Sequence, residues 1–108
     1  MLHFSKATFT GIHIIILLLG KDSTILVTPR LGMAKALGSI GKATKAIEIY
    51  QHVITLLESN RGAESRDLVV PLLSLGNLLL KEGRANDAES RFSRLSFIIF
   101  FILPYLVY

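Results

Sequence analysis

Two stretches of the chain repeat the same spacing of small and aromatic residues at an offset of 42 residues. The residues of the first stretch and their counterparts in the second are Ala34 and Gly76, Gly41 and Gly83, Ala46 and Ala88, and Tyr50 and Phe92. A period between about 20 and 50 residues is typical of a supersecondary unit that buries its apolar face by stacking on a copy of itself. The repeat therefore predicts a helical scaffold that binds a partner.

The first copy predicts two helices. The first helix runs from Arg30 to Leu37 or Ser39, because Pro29 favours a first-turn position and Gly38 and Gly41 supply the backbone of a helix end. The second helix runs from residue 42 to 59 and is amphipathic. Its apolar face carries Ala46, Tyr50, Val53 and Leu57, and its polar face carries Lys45, Glu48, His52 and Thr55.

The second copy predicts two more helices. The third begins with Ser65 or Asp67 as its N-cap, has Pro71 near its first turn and ends around residues 81–83. Because it is apolar nearly all round, we expect it to have neighbours on more than one side; its apolar residues include Leu68, Leu72, Leu75, Leu78, Leu79 and Leu80. The fourth helix starts near Arg84, and we expect it to face inward through Ala85, Ala88 and Phe92.

Both ends of the chain differ from this middle part. We therefore divide the chain into an apolar segment at 1–29, the repeats at 30–94 and an apolar tail at 95–108. The run at 12–19 is compatible with poorly specified structure, a targeting segment or membrane contact. The tail carries no charge but is shorter than the roughly 20 apolar residues of a transmembrane helix. It is therefore a short membrane anchor, an aggregating strand or an extension foreign to the fold.

Composition argues against several kinds of chemistry. The net charge is +4 and no basic stripe alternates with aromatic residues, so we expect no nucleic-acid partner. The chain has no cysteine and its three histidines are far apart, so we expect no metal and no cofactor. The segment 38–44 resembles a phosphate-binding loop. The full motif, however, needs Gly at position 36 and Ser or Thr at position 43, and both positions hold Ala. We expect no enzymatic activity.

The paired pattern, from Leu31 through Tyr50 and again from Leu75 through Phe92, resembles a tetratricopeptide repeat over residues 31–94. The resemblance implies an all-α fold of two antiparallel helix hairpins, which form a short α-solenoid. It also implies a concave groove that binds a peptide or a partner helix, lined by Lys35, Ser39, Asn77 and Lys81. Asn77 stands where that family often uses Asn to hold a peptide backbone. The Lys and Arg residues of the family's carboxylate clamp are absent, and Leu31, Gly32, Leu73 and Ser74 occupy those positions.

The 42-residue offset is longer than the usual period of that family and resembles the kinesin light chain-related subtype found in plants. This resemblance implies a protein-protein interaction scaffold, favoured as a soluble intracellular protein. Two alternatives stay open. One is a small membrane-associated protein anchored by its apolar ends at 12–19 and 95–108, and the other is a nonfunctional fragment of a longer repeat protein.

Overall fold

The computed structural model describes Ile12, Ile14 and residues 24–107. Within these residues the chain forms four α-helices and no strand, which confirms the all-α prediction. The helices are α1 (Val27–Ser39), α2 (Ala43–Arg61), α3 (Val69–Lys81) and α4 (Ala85–Val107). Short 3-10 turns at Thr24–Leu26 and Arg66–Leu68 precede α1 and α3. The apolar run predicted at 12–19 lies outside the described residues, apart from Ile12 and Ile14.

The starts of these elements recur at the 42-residue offset, and so do the ends of α1 and α3, whereas α4 is longer than α2. Both 3-10 turns have 3 residues, and α1 and α3 each have 13 residues. The turns between paired helices also match: the Lys42 N–H donates to the Leu37 carbonyl at 2.8 Å, and the Arg84 N–H donates to the Leu79 carbonyl at 2.8 Å. The repeated spacing in the sequence thus corresponds to a repeated backbone structure.

Glycine and proline explain where the helices begin and end. Gly41 and Gly83 have φ angles of 87° and 79°, in the left-handed region that a side chain disfavours, and each follows the end of a helix. Helix α1 ends at Ser39, the later of the two predicted ends, but Gly38 lies inside the helix and does not supply the turn. Pro29 is the third residue of α1, and α1 therefore begins three residues before the predicted start at Arg30. Proline is tolerated there because N–H groups of the first turn have no partner within the helix.

The four helices pack as two pairs, α1 with α2 and α3 with α4, and α3 also contacts α2 and α1. The predicted apolar stripe of α2 is confirmed: Ala46, Tyr50, Val53 and Leu57 are all buried. The residues predicted on its opposite face, Lys45, Glu48, His52 and Thr55, are exposed. Amphipathic spacing therefore identified the core side of α2 correctly.

Helix α3 has neighbours on several sides, as its composition predicted. Leu68, just before α3, and Leu72 and Leu75 within it have no exposed surface. The outer face of the same helix is also apolar, with Val70, Leu73 and Leu80 exposed to solvent. Packing therefore covers most of α3 but leaves one apolar strip uncovered.

Helix α4 continues through the uncharged segment that begins at Leu95. Leu95 and Ile98 are buried, and the helix runs past Pro104 to Val107. Ala88 is buried as predicted, but Ala85 is exposed, which contradicts its predicted inward position. Among the described residues, no helix combines the length and the apolarity needed to cross a membrane.

Candidate functional site

A groove lies between α1 and α3, with α2 behind it. It encloses a cavity of about 510 Å³. Helices α1 and α3 supply its walls, and the two helices contact each other directly at only a few positions. The lining residues are Thr28, Leu31, Gly32, Lys35, Tyr50, Val70 and Ser74.

Tyr50 contributes the polar group at the back of this groove. Its side chain is only 5% exposed, and burial raises the pKa of its phenol above the ordinary value. A hydrogen bond with the Ser74 hydroxyl lowers that pKa and offsets part of the rise. The phenol is therefore neutral at physiological pH, and it lies beside the cavity together with Ser74.

Two of the predicted binding residues lie on α1, and both are exposed. Lys35 lines the groove, so its ammonium group is available to an acceptor on a bound molecule. Ser39 lies one turn further along α1, and its hydroxyl donates to the Lys35 carbonyl at 2.9 Å. Its proton is used within the helix, so Ser39 offers a ligand only an acceptor.

The other two predicted binding residues, Asn77 and Lys81, are exposed on α3. They do not line the cavity, since α3 reaches it through Val70 and Ser74. The structure therefore brings Lys35 together with Val70, Ser74 and Tyr50, and it leaves Asn77 and Lys81 further along the same helix.

The sequence pattern did not indicate that Tyr50, Val70 and Ser74 belong to a binding site. It assigned Tyr50 to the core on the basis of its spacing, which is correct for the ring. A usable signal was nevertheless present, because Phe92 fills the equivalent position and lacks a hydroxyl. A Tyr where the other copy has Phe indicates a polar role for that one atom.

A second cavity, of about 380 Å³, lies on the outer side of the α3–α4 pair. The equivalent surface of the first pair, 42 residues earlier in the sequence, is the surface against which α3 packs. In the first pair Leu78 occupies that place, since a Cβ added to Gly38 would lie 3.5 Å from Leu78 Cδ1 and 3.9 Å from the Ala46 Cβ. In the second pair the cavity is open, and its lining residues are Leu80, Ala85, Ala88, Glu89, Phe92, Ser93 and Ser96.

A third depression surrounds His52 and contains no carboxylate among its lining residues. The polar groups of Ser59 and Asn60 beside it donate to the carbonyls of Thr55 and Leu56 in their own helix. Within the described part of the chain, no group of three or more His, Asp or Glu side chains is arranged to hold a metal ion. Of the three cavities, the groove between α1 and α3 has the widest range of binding groups.

Neither a protein-family model nor a curated protein sequence matches this chain.

Proposed function

We propose that this chain is a protein-interaction scaffold of the tetratricopeptide type, akin to the kinesin light chain-related subtype, that binds an extended peptide or a partner helix between α1 and α3. The observation that carries the proposal is one period shared by the sequence and the backbone. The sequence pattern and the starts of the helices recur at the same 42-residue offset. Such recurrence is characteristic of stacked helix hairpins, whose first helices line a continuous concave surface.

The groove has the chemistry of a peptide site. Leu31 and Val70 offer an apolar contact, while Lys35 offers a cation close to the Tyr50 and Ser74 hydroxyls. A peptide in an extended conformation presents carbonyl oxygens beside alternating side chains, so it satisfies both kinds of surface at once. We therefore expect a ligand with an apolar side chain over Leu31 and Val70 and a carbonyl or carboxylate oxygen near Lys35.

The predicted residues outside the cavity extend this surface. Asn77 and Lys81 are exposed on α3, and they stand at the positions of α3 that correspond to Lys35 and Ser39 of α1. In the proposed complex a ligand longer than the cavity continues along α3. Asn77 then donates and accepts hydrogen bonds with its backbone, and Lys81 binds an acidic group.

Selection of peptides from a random library on the full-length chain, followed by calorimetric titration, tests the proposal. Val70→Gln and Lys35→Gln should each weaken the selected peptide about fivefold or more, since each removes roughly 1 kcal/mol of contact. Both side chains border the cavity, and Val70 is 60% exposed, so folding should not change.

Matched controls are available on the same helix pairs. Phe97→Gln removes a similarly exposed apolar side chain from α4, and Lys45→Gln removes a cation from the outer face of α2; neither residue lines the groove. Both controls should bind the peptide as the original chain does. Equal weakening by all four variants, or no enrichment of any peptide, would refute a binding site between α1 and α3.

A further inference from the structure

The exposed faces of α2 and α4 differ sharply although their backbones correspond. Where α2 turns polar side chains toward solvent, α4 carries large apolar ones. The pairs related by the 42-residue offset are Thr55 and Phe97, Glu58 and Phe100, Ser59 and Phe101, and Arg61 and Leu103. All four apolar residues of α4 are exposed, Phe100 by 75%. At these four positions α2 carries polar side chains, as is usual beside solvent, whereas α4 carries an apolar side chain at each.

Within the distal half of α4 (residues 95–107), the side chains from 95 to 105 leave an apolar surface uncovered around most of the helix. Only one face is packed, through Leu95 and Ile98, with Ile102 half-buried beside them. At about 100° per residue, the remaining positions cover roughly two-thirds of the helix circumference. Between residues 95 and 105 this arc carries only two polar groups, the Ser96 hydroxyl and the hydroxyl of Tyr105, which is 84% exposed.

We propose that the distal half of α4 docks into one leaflet of a lipid bilayer, a role that goes beyond peptide binding by the groove. A partner helix or a protein groove covers one stripe of a helix, about 100° wide, and would leave the other exposed rings in water. Lipid contacts every exposed side at once. Tyr is enriched at the interfaces of bilayers, and Phe and Leu are typical of the apolar face of a helix that lies there.

The length of the segment sets the depth of docking. Thirteen residues of helix span about 20 Å at 1.5 Å per residue, whereas the hydrocarbon core of a bilayer is about 30 Å thick. The segment is therefore too short to cross the core, and it docks from one side of the bilayer. The buried face, with Ile98 fully covered by the protein, stays attached to the helix bundle.

Charges near this end of the molecule contribute little to docking. Arg61 pairs with Asp67, and Arg94 pairs with Glu58 at 2.6 Å. Equal numbers of acidic and basic residues occur from residue 58 to 67 together with Arg94, so the local field is close to neutral. We therefore expect similar binding to zwitterionic and anionic vesicles and little dependence on salt.

Flotation of the full chain with phosphatidylcholine vesicles provides the first test. The triple variant Phe97→Gln, Phe100→Gln, Phe101→Gln should lose at least tenfold in vesicle affinity, because burying a single Phe side chain contributes about tenfold or more. The double variant Ile40→Gln, Leu80→Gln removes exposed apolar side chains elsewhere and should bind as the original chain does. All the substituted side chains are more than two-fifths exposed, and circular dichroism should show unchanged helix content.

Site-specific labelling provides the second test, since the chain has no cysteine of its own. A polarity-sensitive dye attached through Phe101→Cys should shift to the blue when vesicles are added. The same dye attached through Ser59→Cys, the equivalent position on α2, should not shift. The two sites are both exposed, so the difference reports contact with lipid.

Three outcomes would overturn the proposal. The first is absence of flotation by the original chain, or equal flotation of the triple variant. The second is a dimer in sedimentation that only the triple variant dissociates, which would assign the surface to a second copy of the chain. The third is a loss of flotation when residues 1–20 are deleted and the helix content is unchanged, which would assign vesicle binding to the apolar run at 12–19. Flotation does not involve the groove, so its result is independent of the peptide titration.

Discussion

The two helix pairs have nearly the same backbone but differ in the environment of equivalent side chains. Ala46 and Ala88 are both buried, and Gly41 and Gly83 both have positive φ. These positions lie where helices of one pair touch or where the chain turns between them. The comparison shows that contacts within each pair determine the repeated spacing. At positions that face outward, the type of side chain instead depends on the neighbouring element.

One equivalent pair shows how a difference in packing is accommodated. A Cβ added to Gly76 would lie 2.6 Å from the Phe92 ring, closer than side chains approach. Ala34, its counterpart, has a Cβ and is fully buried in the α1–α2 pair. The Phe92 ring therefore lies closer to α3 than a Cβ would allow, and only glycine at position 76 leaves room for it.

The largest difference between the pairs should appear when both buried alanines are enlarged. Ala46→Leu forces a branched side chain between α1, α2 and the Leu78 side chain of α3, and should reduce the unfolding free energy by about 3 kcal/mol. Ala88→Leu should cost less than about 1 kcal/mol, because Ala88 borders the open cavity on the outer side of α4. Urea unfolding followed by circular dichroism measures both values. Equal losses of unfolding free energy would show that the space beside Ala88 cannot accept a larger side chain.

The two turn glycines should behave alike, in contrast to the two buried alanines. Gly41→Ala and Gly83→Ala place a side chain in the left-handed region and should each cost about 1–2 kcal/mol. Gly38→Ala is the control, since a Cβ there meets Leu78 at an ordinary 3.5 Å and the helix gains a better helix former. Thermal unfolding should show two similar decreases and no decrease for Gly38→Ala. A large difference between the two turns would contradict their equivalence.

The smallest effect concerns a charge that only the second pair has. Asp67 stands where the first pair has Ile25, and its hydrogen bond from Arg61 lowers the pKa of the carboxyl group below the ordinary value. Stability from a lowered carboxyl pKa is present above the unfolded pKa, near 3.9, and is lost as the pH falls through the lower folded pKa. Asp67→Asn should therefore destabilise the chain at pH 7 by less than about 1 kcal/mol, as is usual for exposed ion pairs.

Unfolding curves of the Asp67→Asn variant and the original chain at several pH values check this prediction. The difference between them should disappear once the pH lies below the folded pKa of Asp67. A difference that persists unchanged at pH 2 would show that the effect does not come from the ionised carboxylate.

Helix number, the turns at Gly41 and Gly83 and the core face of α2 could be predicted because they depend on local spacing and backbone freedom. The Ser65 cap was also predictable: its hydroxyl accepts from the Asp67 N–H at 3.1 Å. The cap precedes a 3-10 turn, however, and α3 begins only at Val69. The exposure of Ala85 and the continuation of α4 past Leu95 were not predicted, since they depend on which helix lies beside each residue.

The groove was predictable only in part. A repeated pattern placed Lys35 on the surface of a first helix, but sequence spacing carries no information about how far α3 slides along α1. That offset brings Val70 and Ser74 to the cavity and leaves Asn77 and Lys81 beyond it. The Tyr50 hydroxyl became part of the groove for the same reason.

The amino-acid sequence by itself determined that this chain folds into helices of a given length with a repeated spacing, because glycine, proline and apolar periodicity act over a few neighbouring residues. Tertiary structure decided which surfaces stay open: the groove between α1 and α3, the cavity beside α4 and the exposed phenylalanines on the distal half of α4. Openness depends on the relative placement of helices, and that placement results from packing between residues far apart in the chain.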